Sequence, residues 1–212
     1  MPAIPLKPQY GPTLGRLLEP SWRAARPLVR WLVLGAVALL SALLIVAALG
    51  LLDASYSHGG AVPFGFRYRG LYRTAPDPGG YVKVRRSSHG RLQDSFAVAP
   101  LRLPPYAGSV TGVLPLAAAG YRRSLVRRFA GFRLQGEGKT RITSTLAGYD
   151  VRYSALLDGR RVWGRDVFLL PGGAGAREGV VLEMLTTERA TVAKPVATQG
   201  VLEKPLKTFS LV

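Results

Sequence analysis

The sequence predicts a single N-terminal transmembrane helix followed by an α+β domain, mostly antiparallel sheet with one packed amphipathic helix. Three observations support this. Trp31 to Leu52 is apolar and carries no charge; the chain beyond it breaks into short alternating segments separated by Gly, Pro and Asp-Gly; and one segment, about Leu114 to Phe129, has helical period.

The apolar run is WLVLGAVALLSALLIVAALGLL, in which Ser41 supplies the only hydroxyl. At about 1.5 Å per residue it crosses a hydrocarbon core of roughly 30 Å with modest tilt. A core helix of a soluble domain is rarely apolar on all faces, whereas lipid demands it. A cleavable signal has a shorter apolar region of about 7 to 15 residues, so an uncleaved single-pass signal anchor fits better. The expected order is a basic, proline-rich cytoplasmic tail over 1–30, the span over 31–52, a linker over 53–62 and the extracytoplasmic α+β domain over 63–212.

The 212-residue chain is a basic protein, with 29 Lys and Arg against 12 Asp and Glu and no cysteine. Disulfides, thiolate metal sites, thiol nucleophiles and a lipid-modified cysteine are thereby excluded. Positive residues near a span set its orientation. Arg16, Arg23, Arg26 and Arg30 precede it, while only Arg67 and Arg69 lie in residues 53–72. The N-terminus is therefore expected in the cytoplasm and the domain outside. Six prolines, Pro2, Pro5, Pro8, Pro12, Pro20 and Pro27, prevent a long helix in the tail. Short interfacial turns over Thr13–Glu19 and Ser21–Arg26 compete there with a disordered basic tail.

Within the domain, Phe64 to Arg73 places Phe64, Phe66, Tyr68 and Tyr72 on one face and Arg67, Arg69 and Arg73 on the other, the pattern of a half-buried strand. Pro76 to Gly80 reads as a turn. Tyr81–Arg86 and Leu92–Leu103 read as strands joined by a turn at Ser87–Gly90.

In the helical segment Pro115 suits a first-turn position and Gly131 the residue just past the end. Leu114, Ala118, Tyr121, Leu125 and Phe129 fall within about 80° and form the core stripe. Arg123 and Arg127 point away, and Arg122 and Arg128 border the stripe. The helix holds no acid at i,i+4 to these arginines, so Arg122, Arg123, Arg127 and Arg128 are the candidate anion-binding residues.

Beyond the helix, Arg133–Ser144 reads as an edge strand bent at Gly136 and Gly138. Gly148–Ala155 and Arg161–Leu170 flank Asp158-Gly159, a two-residue hairpin signal. Its register sets Ala155 opposite Val162, Tyr153 opposite Gly164, Val151 opposite Asp166 and Tyr149 opposite Phe168. Gly172–Glu178 reads as a loop, Val180–Leu185 as a central strand and Lys204–Val212 as a last strand.

The segments GEGKTRITSTLAGYDVRYSA, GRDVFLLPGG, GVVLEML and LEKPLKTFSLV, over roughly residues 130–212, resemble those of uncharacterised single-span envelope proteins of high-GC bacteria. That resemblance implies an envelope location and transfers no catalytic residue. The arrangement of strands and helix is also loosely similar to the extrinsic oxygen-evolving subunits of photosystems, a likeness of fold alone.

Residues for chemistry are sparse. His58 and His89 lack a second ligand at metal spacing and read as exposed turn residues. Ser88 beside His89 has no nucleophile elbow around it. Gly138-Lys139-Thr140 ends like a phosphate loop, but Arg133 stands where its first glycine belongs. Glu183 is the one acid in an apolar strand, and outward alternation accounts for it. No catalytic residue, metal ligand or cofactor site is assigned. The expected function is that of a membrane-anchored, non-enzymatic extracytoplasmic binding protein. The alternative is an envelope hydrolase or transferase whose site assembles only in three dimensions. Expected partners are the lipid bilayer and an anionic envelope polymer or another membrane protein, and nucleic acid is disfavoured.

Overall fold

The computed structural model describes residues 26–48, 52–103, 110–171 and 177–211. The chain divides into two compact units, Met1–Ala48 and Leu49–Val212. In the first, α1 spans Pro27–Ala48. Its Pro27–Ala47 stretch is strongly apolar and none of its described side chains is buried, so by length and composition it can cross a membrane. The helix begins at Pro27 rather than Trp31, consistent with the preference for proline at a first helical position. Residues 49–51 and the expected tail turns at Thr13–Glu19 and Ser21–Arg26 lie outside the described residues, apart from Arg26 itself, which is non-helical.

Among the described residues the second unit holds ten strands: β1 (Ala54–His58), β2 (Phe64–Tyr68), β3 (Tyr72–Thr74), β4 (Val82–Ser88), β5 (Arg91–Arg102), β6 (Ala130–Arg141), β7 (Ala147–Leu157), β8 (Arg160–Leu169), β9 (Glu178–Thr186) and β10 (Ser210–Leu211). Seven form one sheet in the order β3-β4-β5-β9-β8-β7-β6, and three form a smaller sheet in the order β1-β2-β10. Every pairing is antiparallel. After β5 the chain passes through α2 (Val110–Arg128) to the far edge, then meanders back through β6, β7 and β8 so that β9 closes against β5.

This path buries both faces of the large sheet. One face, with Phe96, Val98, Val167, Leu182 and Met184, packs against Phe64 and Phe66 of the small sheet and Phe209. The other, with Val151, Tyr153, Phe168 and Val181, packs against Leu114, Ala118 and Leu125 of α2 and Phe129 just past its end. The helical stripe read from the sequence thus faces the core, while Leu116 remains 74% exposed.

The β7–β8 hairpin has the expected register, with Tyr153 opposite Gly164 and Val151 opposite Asp166. Asp158 and Gly159 have φ of 50° and 74°, as a type I′ turn requires. Gly164 is needed for a second reason: a Cβ there would lie 2.2 Å from the Tyr153 ring. β9 is central and β6 is an edge strand, as expected. The irregular pairing of β6 falls at Ala130–Arg133 and Leu134–Gly136, so Gly136 but not Gly138 marks a bend.

Several expectations are corrected. Phe64–Arg73 is not one strand: Gly70, at φ 69°, turns the chain, and β3 leaves to pair with β4. Tyr72 is accordingly 54% exposed and off the Phe64 face. The 53–62 linker contains β1, which pairs with β2 through Tyr56 opposite Phe66. Pro115 lies inside α2, not in its first turn, because the helix already begins at Val110. Lys204–Val212 is not one strand, since α3 (Glu203–Lys207) precedes β10; Pro205 is tolerated in its first turn, where no intrahelical N–H bond is needed. The expected Gly172–Glu178 loop falls largely outside the described residues.

Candidate functional site

Three registers align a row of residues on the α2 face of the large sheet. Ala97 lies opposite Glu183, Glu183 opposite Asp166, and Asp166 opposite Val151. Glu183 therefore does not point to solvent, because α2 covers this face, and alternation that would turn it outward in a one-sided sheet here turns it inward. Two carboxylates become cross-strand neighbours beneath a helix, where like charges repel.

Their surroundings separate them. Glu183, 18% exposed, pairs with Arg128 of α2 at 3.4 Å, and the Tyr121 hydroxyl donates a hydrogen bond to it. Arg128 also pairs with Asp77 at 2.9 Å, and Asp77 with Lys83 at 2.8 Å. The result is a chain of opposite charges, Lys83, Asp77, Arg128 and Glu183, tying the β3–β4 turn to the end of α2 and to β9. Burial works against the Arg128 charge, but the Glu183 and Asp77 carboxylates outweigh it and raise its pKa. The Lys83 hydrogen bond holds Asp77 below the usual carboxylate range.

Asp166 is fully buried, and neither carboxylate oxygen completes a hydrogen bond. Burial first, and then the Glu183 charge, push its pKa well above the ordinary 3.8; the Arg128 charge, and the Tyr153 hydroxyl and Met184 amide that lie near without completing a hydrogen bond, offset only part of that rise. Burial, followed by the nearby acids, also raises the Tyr121 and Tyr153 hydroxyls. Such surroundings favour the protonated form of Asp166 and of both phenols. A cavity of about 320 Å³ adjoins it, lined by the turn Pro76–Gly80, Ala97 to Pro100, Arg128 and Glu183. Asp166 does not line that cavity.

The four arginines singled out from the sequence divide into two pairs. Arg122 meets Glu137 of β6 at 3.0 Å, and Arg128 meets Glu183 and Asp77. Helical spacing shows no acid for them because these partners come from other elements. Arg123 and Arg127 are exposed, and among the described residues no carboxylate pairs with either.

The histidines lie elsewhere. His58 is in β1, not in a turn, and packs against Phe64 and Tyr81 at ring distances of 5.0 and 4.4 Å. His89 is exposed in the β4–β5 turn at φ 51°, with Nδ1 3.0 Å from the Ser88 hydroxyl. These sequence neighbours do meet, because the left-handed turn folds one toward the other, but the pair lies on an exposed tip. Thr140 of the phosphate-loop-like segment is in β6 and accepts a hydrogen bond from Arg165 at 2.8 Å. Among the described residues no group of three acids or histidines is placed to hold a metal.

Sequence reasoning missed a second polar cluster, on the small-sheet face. Arg165 and Asp150 are both buried and pair at 2.9 Å. The signal was present in the hairpin register, which sets both on the same face of β7 and β8, two positions offset.

These features define a class: an apolar N-terminal helix and an α+β domain with antiparallel sheets and a long helix packed on one of them. No family model and no curated protein matches the sequence. Among solved structures the domain is similar to LpqN, involved in cell envelope biogenesis of Mycobacterium tuberculosis, with TM-score 0.49 and 9% identity over 76% of this chain and 91% of that one. It is also similar to the protein of unknown function PA94 from Pseudomonas aeruginosa, with TM-score 0.32 and 15% identity over 67% of this chain and 85% of that one.

Proposed function

We propose that the protein is a single-pass membrane protein whose N-terminus is cytoplasmic and whose domain, outside, binds anionic surfaces without catalysing a reaction. The observation that carries the anchor is α1, whose apolar side chains are exposed around the helix; water does not tolerate such a surface and lipid does. The arginine excess before the span orients it. Arg123 and Arg127 supply an unneutralised positive surface for anionic headgroups or acidic envelope polymers.

The hydrolase or transferase alternative draws on the Asp166 and Glu183 pair. It is weakened by their placement: a catalytic acid must reach the reacting atoms, and Asp166 is sealed while Glu183 is engaged by Tyr121 and Arg128.

Two measurements test the proposal. A phosphatase fused after Val212 should be active, and an inactive phosphatase with a fluorescent cytosolic reporter at the same position would reverse the orientation. Purified full-length protein in detergent should bind phosphatidylglycerol-containing bicelles less as salt rises, because contacts of this kind are screened over about 8 Å at physiological ionic strength. Arg123→Ala with Arg127→Ala should remove most of that salt-sensitive binding. Unchanged binding would reduce the pair to a solvated surface.

A further inference from the structure

On the sheet face opposite α2, residues 189–192 stand beside part of β6, β7 and β8 and border an open cleft of about 580 Å³. The segment is held there by Arg152, whose guanidinium donates to the Val192 carbonyl at 3.4 Å. Trp163 packs against the core on this face and also lines the cavity. Around it stand Arg161, Arg189, Gln135, Ser154 and Thr191. The hairpin register explains the grouping, since Ser154 is directly opposite Trp163 and Arg161 is two residues along the same face.

The lining contains no carboxylate. Arg161 and Arg189 are exposed, and among the described residues neither has an ion-pair partner. Ser154 is 4% exposed, and among the described residues its hydroxyl has no hydrogen-bond partner. No other aromatic ring stacks on Trp163 among the described residues. An indole, two free guanidinium forks and a set of hydroxyl and amide groups therefore converge on one space, whose volume falls in the roughly 300–1,000 Å³ range of small-molecule sites.

We propose that this cavity binds an acidic saccharide, a sugar unit carrying a carboxylate. The C–H face of a sugar ring packs on an indole through dispersion. A carboxylate accepts parallel hydrogen bonds from a guanidinium fork. Ser154, Thr191 and Gln135 serve the ring hydroxyls. The choice of a saccharide over a nucleotide rests on the extracytoplasmic placement proposed above, whereas the cavity itself does not involve α2.

The sequence has three tryptophans, so Trp22→Phe with Trp31→Phe in the full-length chain leaves Trp163 as the only indole. This protein, in detergent, is titrated with trigalacturonate, with its neutral methyl ester and with AMP. Trigalacturonate should shift Trp163 emission saturably, and the ester and AMP should not. Arg161→Ala and Arg189→Ala should each weaken binding at least tenfold, and Arg161→Lys should restore only part, since an ammonium lacks the fork. Arg123→Ala with Arg127→Ala should leave the titration unchanged, so that failure at the membrane surface and failure at this cavity are read separately. No response to trigalacturonate, an equal response to the ester, a preference for AMP, or equal weakening by the α2 substitutions would each overturn the proposal.

Discussion

Asp150 and Asp166 are buried aspartates on neighbouring strands that face opposite sides of the same sheet. Asp150 meets Arg165 at 2.9 Å, and Arg165 is further bound by Thr140 and by the Val196 carbonyl at 3.4 Å. Asp166 meets another acid, Glu183, across the strand and completes no hydrogen bond. Burial alone therefore does not decide what a carboxylate does inside this domain. A guanidinium desolvated alongside it makes an ion pair, while a second carboxylate alongside it favours a retained proton. The first arrangement joins β6, β7, β8 and the 196 segment; the second places under α2 a carboxyl group that favours its protonated form.

Breaking the first arrangement should have the largest effect. Asp150→Ala leaves Arg165 buried without its carboxylate, which by comparison with other buried pairs costs about 3–5 kcal/mol. Removing both charges with Arg165→Met should recover much of that loss. Denaturant titration of the two variants checks this, and a small effect of Asp150→Ala would mean that Thr140 and the Val196 carbonyl suffice for Arg165.

The second arrangement should show itself through pH. Because the folded pKa of Asp166 is raised, the folded state holds a proton that the unfolded chain releases above about 3.8. Its contribution to stability is full below that value and is lost as pH rises toward the folded pKa, by about 1.4 kcal/mol per pH unit. Asp166→Asn should abolish that slope and be more stable than the parent near neutrality. Parallel pH profiles for the two proteins would show that Asp166 ionises in the folded state as it does in the unfolded one.

The hairpin that carries both aspartates was legible in the sequence, since Asp-Gly demands two positive φ values and the flanking alternation admits one register. The location of Asp166 opposite Val151 followed directly. Its neighbour Glu183 did not, because nothing in Val180–Leu185 says which strand lies beside it. Nor did alternation reveal the corner at Gly70, where Phe64, Phe66 and Tyr68 continue into Tyr72 without a break in period. Helical spacing similarly judged Arg122 and Arg128 only against their own helix, while Glu137, Asp77 and Glu183 arrive from the sheet and a turn. Local period specifies a face, and the identity of what covers that face is a property of topology.

Asp77 offers the smallest effect and the sharpest contrast with Asp166. Its folded pKa is lowered, chiefly by the Lys83 hydrogen bond, so its contribution is present above the ordinary 3.8 and is lost as pH falls. That sign is opposite to the sign at Asp166. Both Asp77 and Arg128 are nearly half exposed, at 45% and 44%, so solvent and salt screen the interaction and it is worth less than about 1 kcal/mol. Asp77→Asn should therefore flatten the acid limb of the stability profile slightly and leave the slope above pH 4 intact, whereas Asp166→Asn removes that slope. The acid-limb difference should shrink in 1 M salt, where the screening length falls to about 3 Å. If Asp77→Asn instead alters the slope above pH 4, then Arg128 couples the turn to Asp166 through Glu183, and the exposed and buried carboxylates titrate as one network rather than two.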